Sequence, residues 1–179
     1  MKRISVLLLC LSALFGCTEF RISRELKAFM EETIIVPSDL VQIVDGETST
    51  CGQIPSVPVL VFYHDSLSCS ACQISHLADI QRVYELSDSM GTFVVMTIFS
   101  PKPEEYDEVL RNLEIREFED PVYVDVTGSF VSSNGCIPTD KRFHSFLTDS
   151  DRHPVFVGNP ISGARLWELF EQALERIGE

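Results

Sequence analysis

The sequence predicts an α/β domain in which helices cover both faces of a central mixed sheet that ends in an antiparallel hairpin. Three observations carry this expectation. Two apolar runs of strand length, residues 57–63 and 92–99, lie on either side of an amphipathic stretch, and a right-handed crossover makes strands connected in this way parallel. A second amphipathic stretch at 103–114 leads into a further strand at 121–126. The chain then closes with two short strands, 142–148 and 153–157, around the polar Asp149-Ser150-Asp151-Arg152, followed by one last helix.

Composition sets the outer limits. At 179 residues, 45% hydrophobic and 23% charged, the chain is long enough to bury one sizeable core. Its net charge of −13 has the wrong sign for electrostatic attraction to nucleic acid or to an anionic membrane surface, so no nucleic-acid partner is expected. Nine Gly and nine Pro mark no repeat and no low-complexity tract.

Lys2 and Arg3 precede an apolar run over 4–15 that is too short to span a bilayer and is flanked as an export signal is. At its end, Leu14-Phe15-Gly16-Cys17 resembles the lipobox of bacterial lipoproteins. The resemblance implies a lipoprotein signal peptide over 1–16, cleavage ahead of Cys17, and lipid attached to Cys17. Thr18, rather than Asp, then points by the enterobacterial sorting rule to the outer membrane facing the periplasm. The expected location is the bacterial cell envelope, with the chain lipid-anchored.

Residues 17–54 read as an N-terminal spacer holding a short helix and a strand. The helix covers 23–33, with Leu26, Phe29 and Met30 at helical spacing behind a Ser23 cap. Pro37 ends it, 40–44 reads as a strand, and Asp45-Gly46 opens a turn-rich loop that reaches Gly52. The main domain spans 55–179. In its first crossover, one helix over 69–90 carries Ile74, Leu77, Ile80 and Tyr84 on a face and stops at Gly91. The 103–114 helix carries Tyr106, Val109, Leu110 and Leu113, and the last helix carries Leu166, Leu169, Phe170, Ala173, Leu174 and Ile177.

The chemistry lies in Cys69-Ser70-Ala71-Cys72, placed where the first buried strand gives way to its helix in a chain that reads as exported. Free N–H groups and the positive end of the helix dipole there favour a thiolate at Cys69. Cys72 lies one helical turn on, within reach of Cys69, so the pair can close a small reducible disulfide. Cys69 is therefore expected to attack and Cys72 to resolve the mixed disulfide.

With this motif in this place, the chain resembles the thioredoxin-like superfamily, in particular its membrane-tethered periplasmic branch, over residues 55–177. The strand Pro121-Val122-Tyr123-Val124-Asp125, followed by Thr127-Gly128, is similar to the extra strand of that branch. Phe146-Leu147-Thr148-Asp149 and His153-Pro154-Val155-Phe156-Val157-Gly158 are similar to its terminal hairpin. The resemblance implies a thioredoxin-like fold and thiol-disulfide oxidoreductase activity without a cofactor. Its partners would be protein thiols or disulfides and a membrane electron donor.

The chain departs from the family at three places. Ser68 stands where Trp is usual, and Ser70-Ala71 where Gly-Pro is common. Tyr63 occupies the place of a buried carboxylate, with His64 and Asp65 the nearest polar alternatives. The family's substrate-binding cis-proline resembles Ile137-Pro138, but counting back from Asp149 in the family register selects Phe143 instead. A cis bond before Phe143 costs several kcal/mol, so Pro138 is the first choice if the loop bulges.

Cys51 and Cys136 are possible extra thiols, pairing with each other or serving as resolving groups. His64, Cys69, Cys72 and His76 form an alternative soft-metal set, which would make the chain a copper-binding or chaperone lipoprotein. A third reading is a non-catalytic thioredoxin-fold adaptor. The acidic groups at 104–108 and 114–120 read as solvated helix faces.

Overall fold

The computed structural model describes residues 20–52, 54 and 56–178; the expected signal peptide and Cys17 lie outside them. Seven strands form one mixed sheet: β1 (Val41–Val44), β2 (Glu47–Thr50), β3 (Val59–His64), β4 (Val94–Phe99), β5 (Val122–Val124), β6 (Ser145–Thr148) and β7 (Pro154–Val157). Their spatial order is β2-β1-β5-β4-β3-β6-β7. The crossover strands β3 and β4 are parallel in register from Val59↔Val94 to His64↔Phe99, and β5 continues parallel beside β4. β6 and β7 close one side as an antiparallel hairpin, and β1 and β2 form another on the far edge. No helix among the described residues is long and apolar enough to cross a membrane.

Strand alternation divides the core into two layers. Leu60 and Phe62 of β3 and Val95 and Phe99 of β4 face one layer, while Val59, Val61 and Tyr63 of β3 and Met96 and Ile98 of β4 face the other. The first layer is covered by α3 (Gln81–Met90), α4 (Tyr106–Arg116) and α6 (Ala164–Gly178), through side chains such as Val83, Leu113 and Phe170. The second is covered by α1, at 20–30, and α5 (Ser129–Ser133), through Phe29 and Phe130. The α/β class with helices on both faces and a terminal hairpin is thus the observed one.

Some ends are shifted, since α1 at 20–30 holds Ser23 inside the helix rather than at its cap and β6 begins at Ser145 rather than at 142, and three elements differ in kind from the sequence expectation. The single helix expected over 69–90 is broken into α2 (Ser70–Ser75), a 3-10 turn (Leu77–Ile80) and α3. The reason is spacing: Ile74, Leu77, Ile80 and Val83 recur every three residues and all are buried. A continuous α-helix would rotate each such step by about 60° and carry the set around its circumference, whereas a 3-10 turn keeps i and i+3 aligned. The 45–52 loop contains strand β2, fully exposed along one edge. Asp45 and Gly46 both take positive φ, 50° and 75°, the geometry of a tight hairpin turn. Gly46 also lies against α4, where an added Cβ would meet the Glu114 carbonyl oxygen at 2.9 Å. The third difference is α5, not expected from the short Ser129-Phe130-Val131-Ser132-Ser133 stretch that forms it.

The sheet and core also run through the expected division at 54/55. β1 pairs with β5, Phe29 meets Phe146 edge-on at 5.1 Å, and Ile34 and Leu40 are buried in the second layer. Asn134 ties this segment down by pairing with both backbone groups of Ile35, accepting from its N–H at 2.8 Å and donating to its carbonyl at 2.7 Å. Residues 29–51, expected as part of a spacer, are therefore structural: Phe29, Ile34, Leu40 and Ile43 find no other surface to bury their apolar area. Replacing Phe29 by Ala is expected to destabilise the protein by about 3–5 kcal/mol in urea unfolding. An unchanged unfolding midpoint would mean that this segment is a detached spacer.

Candidate active site

β3 delivers the chain to a tight loop, 65–68, and then to Cys69 at the start of α2. Asp65 organises that loop: its Oδ1 accepts from the Leu67 N–H at 3.1 Å and the Ser68 hydroxyl at 2.8 Å. Lys141, brought from the segment before β6, adds an ammonium 3.4 Å from Asp65 Oδ1 and donates to Ser68 Oγ at 3.1 Å. Burial pushes the Asp65 carboxyl up, but the bond from Ser68 and the Lys141 charge outweigh this and hold it below the usual range. The residue preceding the first cysteine is thus fixed from two sides.

Cys69 is the N-cap of α2, and its sulfur accepts from the Cys72 backbone N–H at 3.4 Å. Both thiols are exposed. The Cys72 thiol also hydrogen-bonds to the Cys69 sulfur; this bond and the Cys72 N–H hold the Cys69 thiol below the ordinary value, against the opposing charge of Glu105. The same bond, and the charge on Cys69, push Cys72 up. The pair is polarised as exchange chemistry requires, with the easily ionised sulfur at the helix start and the protonated one a turn behind it. Because α2 has only six residues, local donors supply this polarity rather than the dipole of the long helix expected from sequence. A cavity of about 200 Å³ adjoins Cys69, walled by Ala71, Glu105, Glu108 and Val109.

Every peptide bond among the described residues is trans, so neither Ile137-Pro138 nor the bond before Phe143 is the expected cis bond. The loop satisfies its polar groups otherwise. The Ile137 N–H donates to the Asn134 carbonyl at 3.0 Å, and the His144 imidazole Nε2 lies 2.9 Å from the Pro138 carbonyl oxygen. Phe143 ends a 3-10 turn (Lys141–Phe143), and His144 takes the place beside β3, its carbonyl accepting from the Tyr63 N–H at 2.8 Å. Ile137 and Pro138 still border the active loop across a cavity of about 310 Å³ shared with Leu67 and Val131.

The expected soft-metal set does not come together. Among the described residues, no three His, Cys, Asp or Glu side chains are placed to hold a metal ion. His64 ends β3 stacked on Phe99 at 4.6 Å, and burial together with the neighbouring His144 pushes it down to about 4. His76 instead points outward and pairs with Asp79 at 2.9 Å. Cys51 is buried at the end of β2 and Cys136 is half-buried after α5. Burial pushes both thiols up, away from the thiolate that exchange needs. Tyr63 is buried among Phe130 and His144 rather than replaced by a nearby carboxylate. The buried carboxylate of this region is Asp125, which accepts from the Ser100 hydroxyl and from the N–H groups of Phe130 and Val131, so it secures α5. Lys141 and Glu105 are the neighbours of the cysteine pair that sequence reading missed; each lies far along the chain from Cys69 in a segment without a motif.

No protein-family model matches the sequence, and no curated protein matches it. The fold has solved counterparts. A thioredoxin-like protein from Porphyromonas gingivalis aligns with a TM-score of 0.51 at 15% identity, covering 83% of this chain and 95% of that one. A structure from Chlorobium tepidum described as a candidate thiol:disulfide interchange protein DsbE aligns at 0.51 and 17% identity, covering 80% and 98%. A candidate protein disulfide isomerase from Bacteroides thetaiotaomicron aligns at 0.50 and 14%, covering 82% and 90%. The chain has the thioredoxin-like fold.

Proposed function

We propose that this chain is a thiol-disulfide oxidoreductase of the bacterial cell envelope that exchanges disulfides with protein substrates or a membrane electron donor through Cys69 and Cys72. The observation that carries the reading is the Cys72 N–H bonded to the Cys69 sulfur at 3.4 Å, with both thiols open to solvent. The thiolate of Cys69 attacks one sulfur of a substrate disulfide and expels the other as a thiolate. Cys72 then attacks Cys69 in the mixed disulfide, releasing the substrate thiol and leaving Cys69–Cys72 oxidised. The interchange and isomerase descriptions of the fold's counterparts support the same class of chemistry. Export and anchoring rest on the apolar run before Leu14-Phe15-Gly16-Cys17, with lipid on Cys17 and the outer membrane as the destination. Ile137 and Pro138, on the cavity beside Leu67, are the proposed contacts for the substrate chain.

Site-resolved alkylation of the reduced protein should find Cys69 reacting at least tenfold faster than Cys72 near neutral pH, since lowering a thiol pKa enlarges its thiolate fraction there. The reactivity midpoint of Cys69 should fall below the ordinary thiol value of about 8.5, and should rise again in Cys72→Ala, which removes the S–H donor. Faster labelling of Cys72 would reverse the roles.

Cys72→Ser should accumulate mixed disulfides with envelope proteins, detected as reducible adducts on gels, whereas Cys69→Ser should form none. Absence of adducts in both variants would favour the non-catalytic adaptor. Cys17→Ser should move the protein from the membrane fraction to the soluble one with its unfolding midpoint unchanged. Retention in the membrane would defeat the lipid anchor.

A further inference from the structure

A cavity of about 530 Å³, lined by Ser68 and Gln73 but by neither cysteine, opens between β3, α2, the segment before β6 and the start of α6, separate from the one that Glu105 walls. Its lining is distinctive in charge. The chain carries 27 Asp and Glu, yet none lines this cavity, while Lys141 and Arg142 both do. Besides Tyr63, Ser68, His144 and Asn159, four further polar residues line it: His64, Gln73, Ser145 and Ser162. None of these four makes a side-chain hydrogen bond among the described residues. No side-chain nitrogen or oxygen in the described structure is both fully enclosed and unpartnered, so these groups open onto the cavity rather than being sealed behind it.

The two cations are fixed but not exhausted. Lys141 spends two of its three donors on Ser68 and Asp65. Asp140 grips Arg142 through Nε and Nη2, the latter at 2.6 Å, leaving Nη1 unused. His64, held neutral by burial and His144, still offers one N–H and one acceptor. Convergent donors of this kind, left open in an otherwise acidic molecule, complement a carboxylate. The position is as informative as the chemistry, because Ser68 immediately precedes Cys69, Gln73 immediately follows Cys72, and both line the cavity.

Building on the proposed oxidoreductase function, we propose that this cavity binds the carboxylate groups of a small disulfide substrate and so presents its sulfur to Cys69. Its volume falls within the range of small-molecule sites and is too small to enclose a folded acidic partner. In the reaction, the Cys69 thiolate attacks one sulfur of the bound disulfide, the S–S bond breaks, and one half departs as a thiolate. Cys72 attacks Cys69 and releases the second half, its own proton passing to the departing thiolate. Two electrons pass from the protein dithiol to the small disulfide, leaving Cys69–Cys72 oxidised.

The test is a single-turnover oxidation of the prereduced full chain by two disulfides, glutathione disulfide, which carries carboxylates, and bis(2-hydroxyethyl) disulfide, which does not. The second-order rate is expected to favour glutathione disulfide by about tenfold, and this ratio should fall toward one in Arg142→Gln and in Ser145→Val. S-methylglutathione, which keeps the carboxylates but cannot exchange, should slow the reaction with glutathione disulfide competitively in the unmodified chain, a readout that needs no variant to fold. A ratio near one together with no competition by S-methylglutathione would overturn the site while leaving the oxidoreductase reading intact. A ratio near one with strong preference for a disulfide peptide rich in Asp and Glu would overturn it in favour of an acidic protein client. Failure to reduce either disulfide, with competition absent, would instead sink the oxidoreductase reading on which the site rests.

Discussion

Strand β3 is the constraint on which the rest of the molecule depends. It is hydrogen-bonded to β4 on one edge and to β6 on the other, and five of its six residues are buried. A strand enclosed in this way cannot slip by one residue without exchanging Leu60 and Phe62 for Val61 and Tyr63 between layers. Its end point is therefore fixed, and with it the place where the chain leaves the sheet toward Cys69. The β6 side matters as much, because the segment that runs into β6 carries Lys141 to Ser68 and Asp65.

The polarity of the cysteine pair comes from short-range bonding. A long helix would give Cys69 a macrodipole, but α2 ends after six residues so that Ile74, Leu77, Ile80 and Val83 can all face the core. What remains is the Cys72 N–H and the Cys72 thiol, both aimed at one sulfur. The surroundings are divided: Glu105 opposes ionisation from the α4 side, and Lys141 secures the loop on the opposite side. Cys69 thus has an acidic wall on one flank, while Ser68 and Gln73, the residues that bracket the pair, line a second cavity that carries Lys141 and Arg142.

The N-terminal segment shows how a fold absorbs chain that carries no motif. Asp39 accepts from the hydroxyls of Thr127 at 2.8 Å and Ser129 at 2.7 Å, Asn134 pairs with Ile35, and Asp125 secures α5. These bonds join residues 35–39 to the loop that holds Ile137 and Pro138, so the wall of the cavity beside Leu67 is supported by chain that precedes the cysteine motif by some thirty residues. With the loop's polar groups satisfied by Asn134, Asp140 and His144, a trans Ile137-Pro138 bond fits where the family resemblance implied a cis one.

The sequence by itself determined the class of the fold, the parallel β3-β4 crossover, the terminal hairpin, and the Cys69 and Cys72 position at a helix start. These follow from local periodicity, from the hand of a strand crossover and from a motif four residues long, all of which act within one stretch of chain. Only the tertiary structure decided that residues 29–51 belong to the sheet and core, that the first helix breaks at a three-residue repeat, and that His64 and His76 face different ways. It alone brought Lys141 to Ser68 and Glu105 to Cys69. The physical reason is that burial and pairing between distant segments depend on which surfaces remain uncovered once the sheet has formed, and no local pattern in the sequence encodes that remainder.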